Sequence, residues 1–450
     1  MDIGLLKAAL FNEDFCDLRY QDFSLTSIKG TKREIDTVAI IKKSGGNVRV
    51  LSGGGYGTFC FTDPDDVHFA LKEAKLASDL IKGKKTYEHV EINVDTVTIK
   101  PTIDPRQVSI EDKKALVAHY IDLFMQHDGI VNLETEYYEQ FSDTWIINNL
   151  GTDIRQEELI VGINFRITSK RDDLTQITRL SLGGGDDYCL LLDKDEEVLA
   201  KAAQTLALLD AEPVVGGNYD VVLDSDVSGL FIHEAFGHLS EADNLVGNES
   251  LAKTMTLGET FAVPEFNVID DPSLDGYPGS YTYDHEGTKA KRTYLIKDGK
   301  LSGRLHSLES AHFMKESPTG HARAKHFGFT PIVRMGNIFI DKDKYTLDEM
   351  IGSIENGLYL FGSAGGQTSG DTFTFAVQGA YKIEKGELKG LVRDLALTGH
   401  LFSTLKNIEM IGDTVDFSKA GGCGKGGQIL IKSGKGSAPI KIVNMGIGGK

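Results

Sequence analysis

The chain holds 450 residues, 40% of them hydrophobic, with 48 lysines and arginines against 66 aspartates and glutamates, for a formal net charge of −18. That size accommodates two domains, each with its own core, and the acidic balance weighs against direct contact with nucleic acid, which a basic face would serve. The four cysteines are scattered, no run of about 18 apolar residues occurs, and Met1 to Lys7 lack a basic stretch leading into a long apolar one; together these predict a cytoplasmic protein with no membrane partner and no disulfide framework.

In chain order, residues 47–51 and 58–62 read as strands around Gly53-Gly54-Gly55, a β-hairpin with a loose glycine-rich turn. Asp63 is placed to cap a helix with Pro64 in its first turn and an apolar stripe of Val67, Ala70, Leu71, Ala74, Ala77 and Ile81. Ser109 and Asp112 resemble a capping box ahead of a second helix bearing Leu116, His119, Tyr120, Leu123 and Phe124. Residues 137–182 return to strands, with a turn at Asn148-Asn149-Leu150-Gly151, and residues 196–209 form a third helix. Pro213 and Gly216-Gly217 punctuate the chain after that helix, so the boundary is placed between an α/β domain over residues 1–212 and a second domain over residues 213–450.

The second domain opens with a strand, Tyr219-Asp220-Val221-Val222-Leu223, and a helix that Asp226 is placed to cap ahead of Val227, Leu230 and Phe231. Helix signals are sparse thereafter. Residues 293–296 and 301–305 read as paired strands across the turn Lys297-Asp298-Gly299-Lys300, and similar turns recur at 341–344 and 384–386. The expected fold class is α+β, two domains, the second β-rich.

The helix of the second domain carries Phe231-Ile232-His233-Glu234-Ala235-Phe236-Gly237-His238, two imidazoles flanking a carboxylate, which are the parts of a hydrolytic zinc site. Zinc peptidases usually space the two histidines four apart, on one helical face. Five residues at about 100° each leave His233 and His238 roughly 140° apart on a regular α-helix. A π-bulge would bring them together, and Gly237 offers a soft backbone for one. The competing reading is two ordinary helix histidines, one of them buried and hydrogen-bonded.

A catalytic zinc takes three protein ligands and keeps one position open. Cys16, Cys60 and Cys189 read as small core residues. Cys423 lies in Gly421-Gly422-Cys423-Gly424-Lys425-Gly426-Gly427-Gln428, where the composition fits a tight loop around a ligand, with Lys425 or a metal favouring the thiolate, or equally a flexible turn with an inert thiol. The same segment satisfies Gly-x-Gly-x-x-Gly, but a dinucleotide site needs a strand before it and a helix opening from it.

Four blocks in order, His233-Glu234-Ala235-Phe236-Gly237-His238, His285-Glu286-Gly287-Thr288, Gly365-Gly366-Gln367 and Cys423-Gly424-Lys425-Gly426-Gly427-Gln428, resemble the TldD/PmbA peptidases, and in particular the TldD branch, nearly end to end. The resemblance implies an α/β first domain and a mostly antiparallel β second domain that carries the metal. It implies zinc held by His233, His238 and Cys423, and Glu234 as the catalytic base toward metal-bound water. It further implies peptide or unfolded-protein substrates, and assembly as a homodimer or with a metal-free PmbA-like paralogue. His285 departs from the acidic residue usual at that place, leaving it either a spare ligand or merely tolerated. Two rivals stand beside this reading: a hydrolase with Cys423 as nucleophile and a histidine base, and a non-enzymatic binding or regulatory protein.

Overall fold

The computed structural model describes residues 3–10, 15–81, 87, 90–419 and 421–449; Met1 and Asp2 lie outside them. The fold is α+β. Residues 16–185 build one seven-stranded sheet from β1 (Cys16–Thr31), β2 (Glu34–Ser52), β3 (Gly55–Phe61), β4 (Val94–Val97), β5 (Ile130–Asn148), β6 (Asp153–Arg171) and β7 (Leu174–Gly185). Its order is β3-β2-β1-β5-β6-β4, with β7 also on β6, and all pairings are antiparallel except β4 on β6. The β2–β3 turn is tighter than expected: Ser52 pairs with Gly55, leaving only Gly53 and Gly54, both at positive φ. Two successive positive-φ residues match the twist of the flanking strands, and glycine adopts them without strain.

One face of this sheet is covered by helices. Besides α1 (Ile3–Ala9), these are α2 (Val67–Leu80), α3 (Ile110–Met125) and α4 (Asp195–Ala207). Asp63 caps a short 3-10 turn that leads into α2, and Ser109 accepts from the Asp112 N–H at the start of α3, as the capping signals predict. Val67, Ala70, Leu71 and Ala74 pack on Leu18, Val48 and Val50, but Ile81 falls past the end of α2 and is exposed. Val117, Tyr120, Phe124, Val198 and Ala202 pack on Ile163 and Phe165.

The opposite face is buried too, and many of its residues are polar, around a small apolar cluster of Ile146, Ile154 and Tyr283. On β1, Cys16, Leu18 and Tyr20 face the helices, and the alternate residues Asp17, Arg19 and Gln21 face the second half of the chain. Arg19 donates to the carbonyls of His326 and Phe329, and Gln21 accepts from the Phe327 N–H at 3.0 Å. Arg49 joins Asp17 to Glu286 at 2.5 Å. On β6, Gln156 accepts from the N–H groups of Thr282 and Tyr283, and Glu158 stands 3.4 Å from Arg323 and 3.8 Å from Lys432.

In the second half, a six-stranded sheet combines β10 (Val268–Asp270), β11 (Thr293–Lys297), β12 (Lys300–Leu301), β15 (Asn337–Ile340), β21 (Asp416–Phe417) and β24 (Gly434–Ser437). The expected hairpin is β11–β12, and its second strand ends at Leu301. The other large sheet closes on itself: β9 (Gly217–Leu223), β16 (Asn356–Ser369), β17 (Thr372–Glu384), β19 (Ala396–His400) and β25 (Ile440–Gly448) form a hydrogen-bonded ring. On it sit β8 (Glu212–Pro213), which straddles the expected boundary, β18 (Glu387–Arg393) and β20 (Ile408–Ile411). Two small hairpins complete the strands, β13 (Ala322–Arg323) with β14 (Ile332–Val333), and β22 (Cys423–Lys425) with β23 (Gln428–Leu430). Among the described residues, no helix is long and apolar enough to cross a membrane.

Burial by itself pushes the Glu158 carboxyl up, but His285, Lys432 and Arg323 outweigh it and hold the group at about 2, below its ordinary 4.5. A depressed folded-state value means that the charged form is favoured by folding, so this stabilisation is full above the unfolded value of 4.5 and lost as pH falls toward 2. Glu158→Gln should cost about 3 kcal/mol at neutral pH. Denaturant titrations should show its deficit against wild type shrinking between pH 4.5 and 2; a deficit constant across that window would contradict the assignment.

Candidate metal centre

A short helix, α5 (Ser225–Phe231), packs against β16 and β24 and delivers the histidine motif. Its cap is Asp224, not Asp226: Asp224 accepts from the Val227 N–H at 2.7 Å and, with its other oxygen, from the Gly362 N–H at 2.8 Å. Asp226 instead accepts from the Ser363 N–H at 2.6 Å. The two carboxylates thus fasten the start of the helix to β16.

After Phe231 the helix widens. Residues Ile232–Gly237 are a π-helix, followed by a 3-10 turn at His238–Ser240. This wider winding places residues five apart on one face, and the His233 and His238 rings meet with centroids 5.4 Å apart. The role expected of Gly237 changes: its φ of −58° and ψ of −49° are ordinary helical values. A Cβ there would stand 2.3 Å from Met335 Sδ and 2.8 Å from Ile338 Cδ1, so glycine lets the helix lie against the tips of these two side chains, which any larger residue would have to displace.

Cys423 arrives from the far end of the sequence on the β22–β23 hairpin. Gly426 and Gly427 form its two-residue turn at positive φ, with no helix opening from it, so a dinucleotide site is absent here. The fully buried Arg334 donates to the carbonyls of Cys423 and Gln428, clamping both strands. Lys425 does not serve the thiol; it binds Asp243 at 2.5 Å and Glu241 at 3.2 Å. Of the other cysteines, Cys16 is buried as expected, whereas Cys60 and Cys189 are exposed.

One ligand atom from each of His233, His238 and Cys423 lies within 4.8 Å of the others. Cys423 Sγ is 3.5 Å from His238 Nε2, a spacing suited to two corners of a tetrahedron with bonds of about 2.0–2.3 Å. His233 Nδ1 is buried with no hydrogen-bond partner, a cost that a bound cation would relieve. Burial, aided by His238, Lys435 and Arg334, holds His233 well below its ordinary range and so neutral, as a metal ligand must be. Burial also acts to lower His238, but Cys423 and Glu241 overcome it and raise the group to about 10, so a metal ion entering here displaces a proton.

Glu241 was not singled out by the sequence, although its place three residues after His238 puts it on the same face. It is fully buried and accepts from His238 Nδ1 at 2.9 Å, directing Nε2 toward the cysteine. Glu234 is about one-third exposed, its Oε2 4.0 Å from His238 Nε2, and Thr368 of β16 donates to its backbone carbonyl at 3.2 Å. His285 is not part of the cluster. It lies between the two halves of the chain, with Nδ1 accepting from Arg19 at 2.7 Å and from the Ala324 N–H at 2.9 Å. Its Nε2 stands 3.8 Å from Glu158, too far for a hydrogen bond.

Comparison with known proteins gives the family and the fold. Residues 216–449 match the PmbA/TldA metallopeptidase C-terminal domain, and residues 103–209 match the central domain of the same family. A metalloprotease of Synechocystis sp. is 37% identical over 97% of this chain and 95% of its own. A zinc metalloprotease TldD homolog of Saccharolobus solfataricus is 28% identical over 98% of each. Among solved structures, a putative modulator of DNA gyrase from Thermotoga maritima superposes with a TM-score of 0.80 at 18% identity, covering 96% of both chains, which speaks to the fold.

Removing Glu241 as Glu241→Ala should weaken metal affinity by about 10–100-fold by freeing the His238 ring, and Cys423→Ser should leave little metal bound. Elemental analysis and competition with a chelating dye test both; an unchanged affinity in Glu241→Ala would remove its orienting role.

Proposed function

The chain belongs to the PmbA/TldD metallopeptidase family, and from that premise we propose that it is a zinc-dependent peptidase in which Glu234 activates the attacking water. The observation that carries this reading is the π-helical winding, which turns His233 and His238 toward Cys423 and leaves Glu234 beside them. A zinc ion held by these three ligands supplies Lewis acidity, polarising the scissile carbonyl and easing ionisation of water. Glu234 takes the proton as the water oxygen adds to the carbonyl carbon, then delivers it to the amide nitrogen as the C–N bond breaks.

The 3.5 Å contact of Cys423 with His238 is also what a cysteine nucleophile with a histidine base would need. That second reading leaves Glu234 and the orphaned nitrogen of His233 without a task. Glu234→Gln separates the two: under the zinc reading it retains its metal and loses about 10²–10⁴-fold in kcat. Full activity in that variant would sink the base role and favour the cysteine.

The substrate we infer is an unstructured peptide. The ring of strands leaves few edges, but β16 pairs with β9 only over Gly357 to Leu360, and beyond that its outer edge has no strand partner among the described residues. Thr368, on that stretch, touches the Glu234 carbonyl, so a peptide added along the edge would run beside the base and be read by its backbone. We also propose a two-subunit assembly, either with a second copy or with a metal-free paralogue. Folded and permanently unfolded forms of one test protein, incubated separately, should differ in cleavage rate by an order of magnitude or more; equal rates would contradict strand addition.

A further inference from the structure

Cys423 and His238 arrive on segments 185 residues apart in sequence, and a single side chain ties those segments together. Cys423 and Lys425 are two apart on β22, so their side chains leave the strand on the same face. Cys423 Sγ meets His238 there, while the Lys425 ammonium reaches the carboxylate that holds the same ring. It lies 3.2 Å from Glu241 Oε2, the oxygen that accepts from His238 Nδ1, and it donates to Asp243 Oδ1 at 2.5 Å and to the Val333 carbonyl at 3.0 Å. An ammonium group has three N–H donors, and three acceptors surround this one.

The partners of Lys425 also hold one another. Asp243 accepts from the Val333 N–H at 3.3 Å, so residue 333 is fastened at both its N–H and its carbonyl. The next residue, Arg334, donates to the Cys423 carbonyl. A closed circuit results. His238 is joined to Glu241, Glu241 to Lys425, Lys425 along its strand to Cys423, and Cys423 back to His238 at 3.5 Å.

Charge gives the lysine its weight in that circuit. Glu241 is fully buried, and its Oε1 has no hydrogen-bond partner. A buried carboxylate left without a cation is costly. A histidine that ligates a metal is neutral, so it offers Glu241 a hydrogen bond but no charge. Lys425 supplies the charge from the other side, whereas Asp243, 30% exposed, shares its own with water.

We propose that Lys425 is a positioning residue for the metal centre: by pairing with Glu241 from the strand that carries Cys423, it fixes the second histidine and the cysteine relative to each other. The assignment rests on the zinc reading above and adds to it a residue that acts on the ligands through Glu241 and through its own strand.

Zinc affinity, read by competition with a chelating dye, tests it in Lys425→Met, Lys425→Arg, Glu241→Gln and the double variant Lys425→Met/Glu241→Gln. Methionine keeps an apolar stem of similar length without charge, whereas arginine keeps the charge in a bulkier group. Lys425→Met should bind zinc about 10–100-fold more weakly than wild type, and Lys425→Arg should bind it more tightly than Lys425→Met. The reverse order would mark the side chain as packing alone and overturn the proposal. Once Glu241 is uncharged the lysine has nothing there to offset, so the double variant should match Glu241→Gln within about twofold. Losses that multiply would overturn the coupling, and this comparison stands even where Lys425→Met alone does not fold. Zinc held equally well by wild type and Lys425→Met would overturn the positioning role and leave the metal centre intact; no zinc in wild type would sink both.

Discussion

Everything at the metal centre depends on one departure from regular winding. A five-residue interval between ligands is incompatible with a shared ion on an α-helix, and the π-helical segment over Ile232–Gly237 resolves it. Such a segment gives up good hydrogen-bond geometry and persists only where its surroundings fix it. Here they do so from three sides. Asp224 and Asp226 hold the start of the helix to β16, Thr368 holds the Glu234 carbonyl, and Gly237 lets the end press onto Met335 and Ile338. Glu241 and Arg334 then orient the second histidine and the cysteine hairpin. The widened turn and its supports act as one unit.

The two halves of the chain meet largely through charge, beside a small apolar cluster of Ile146, Ile154 and Tyr283. Asp17, Arg19, Arg49, Glu158, Glu286 and Arg323 are all buried between them. Buried ion pairs add little net stability over apolar contacts, because desolvation offsets most of their attraction. Their contribution is geometry, since each guanidinium accepts only a narrow set of partner positions. His285 belongs to this network, which is why it sits far from the cluster of metal ligands despite its resemblance to one.

Much of this was legible in the chain. Capping by Asp63 and Ser109 and the hairpin at Asp298-Gly299 follow from local chemistry that the fold respects, while the trio of His233, His238 and Cys423, which the family resemblance implied, lies close enough together to hold a metal. The cap at Asp226 misled because Asp224, two residues earlier, competes for the same N–H groups, and only the position of β16 decides between them. Glu241, Arg334 and the polar face of β1 were invisible for a related reason: a buried charge looks like a surface charge until its partner, often 100 or more residues away, is known. Closure of the strand ring was equally hidden, because it joins β9 to β16 and to β25 through pairings that no local pattern encodes.

Cys423, the proposed third ligand, lies 185 residues beyond His238, and its hairpin is clamped by Arg334, with the strand β25 still needed to close the ring. At roughly 5–20 residues per second, a ribosome needs on the order of ten to forty seconds to make the intervening chain. Throughout that interval the nascent polypeptide carries His233, His238 and Glu234 but not Cys423, the proposed third ligand. On the proposed ligand set, hydrolytic capacity is therefore withheld until Cys423 and β25 have been made, and a product truncated ahead of Cys423 would be born inert rather than as an unregulated protease.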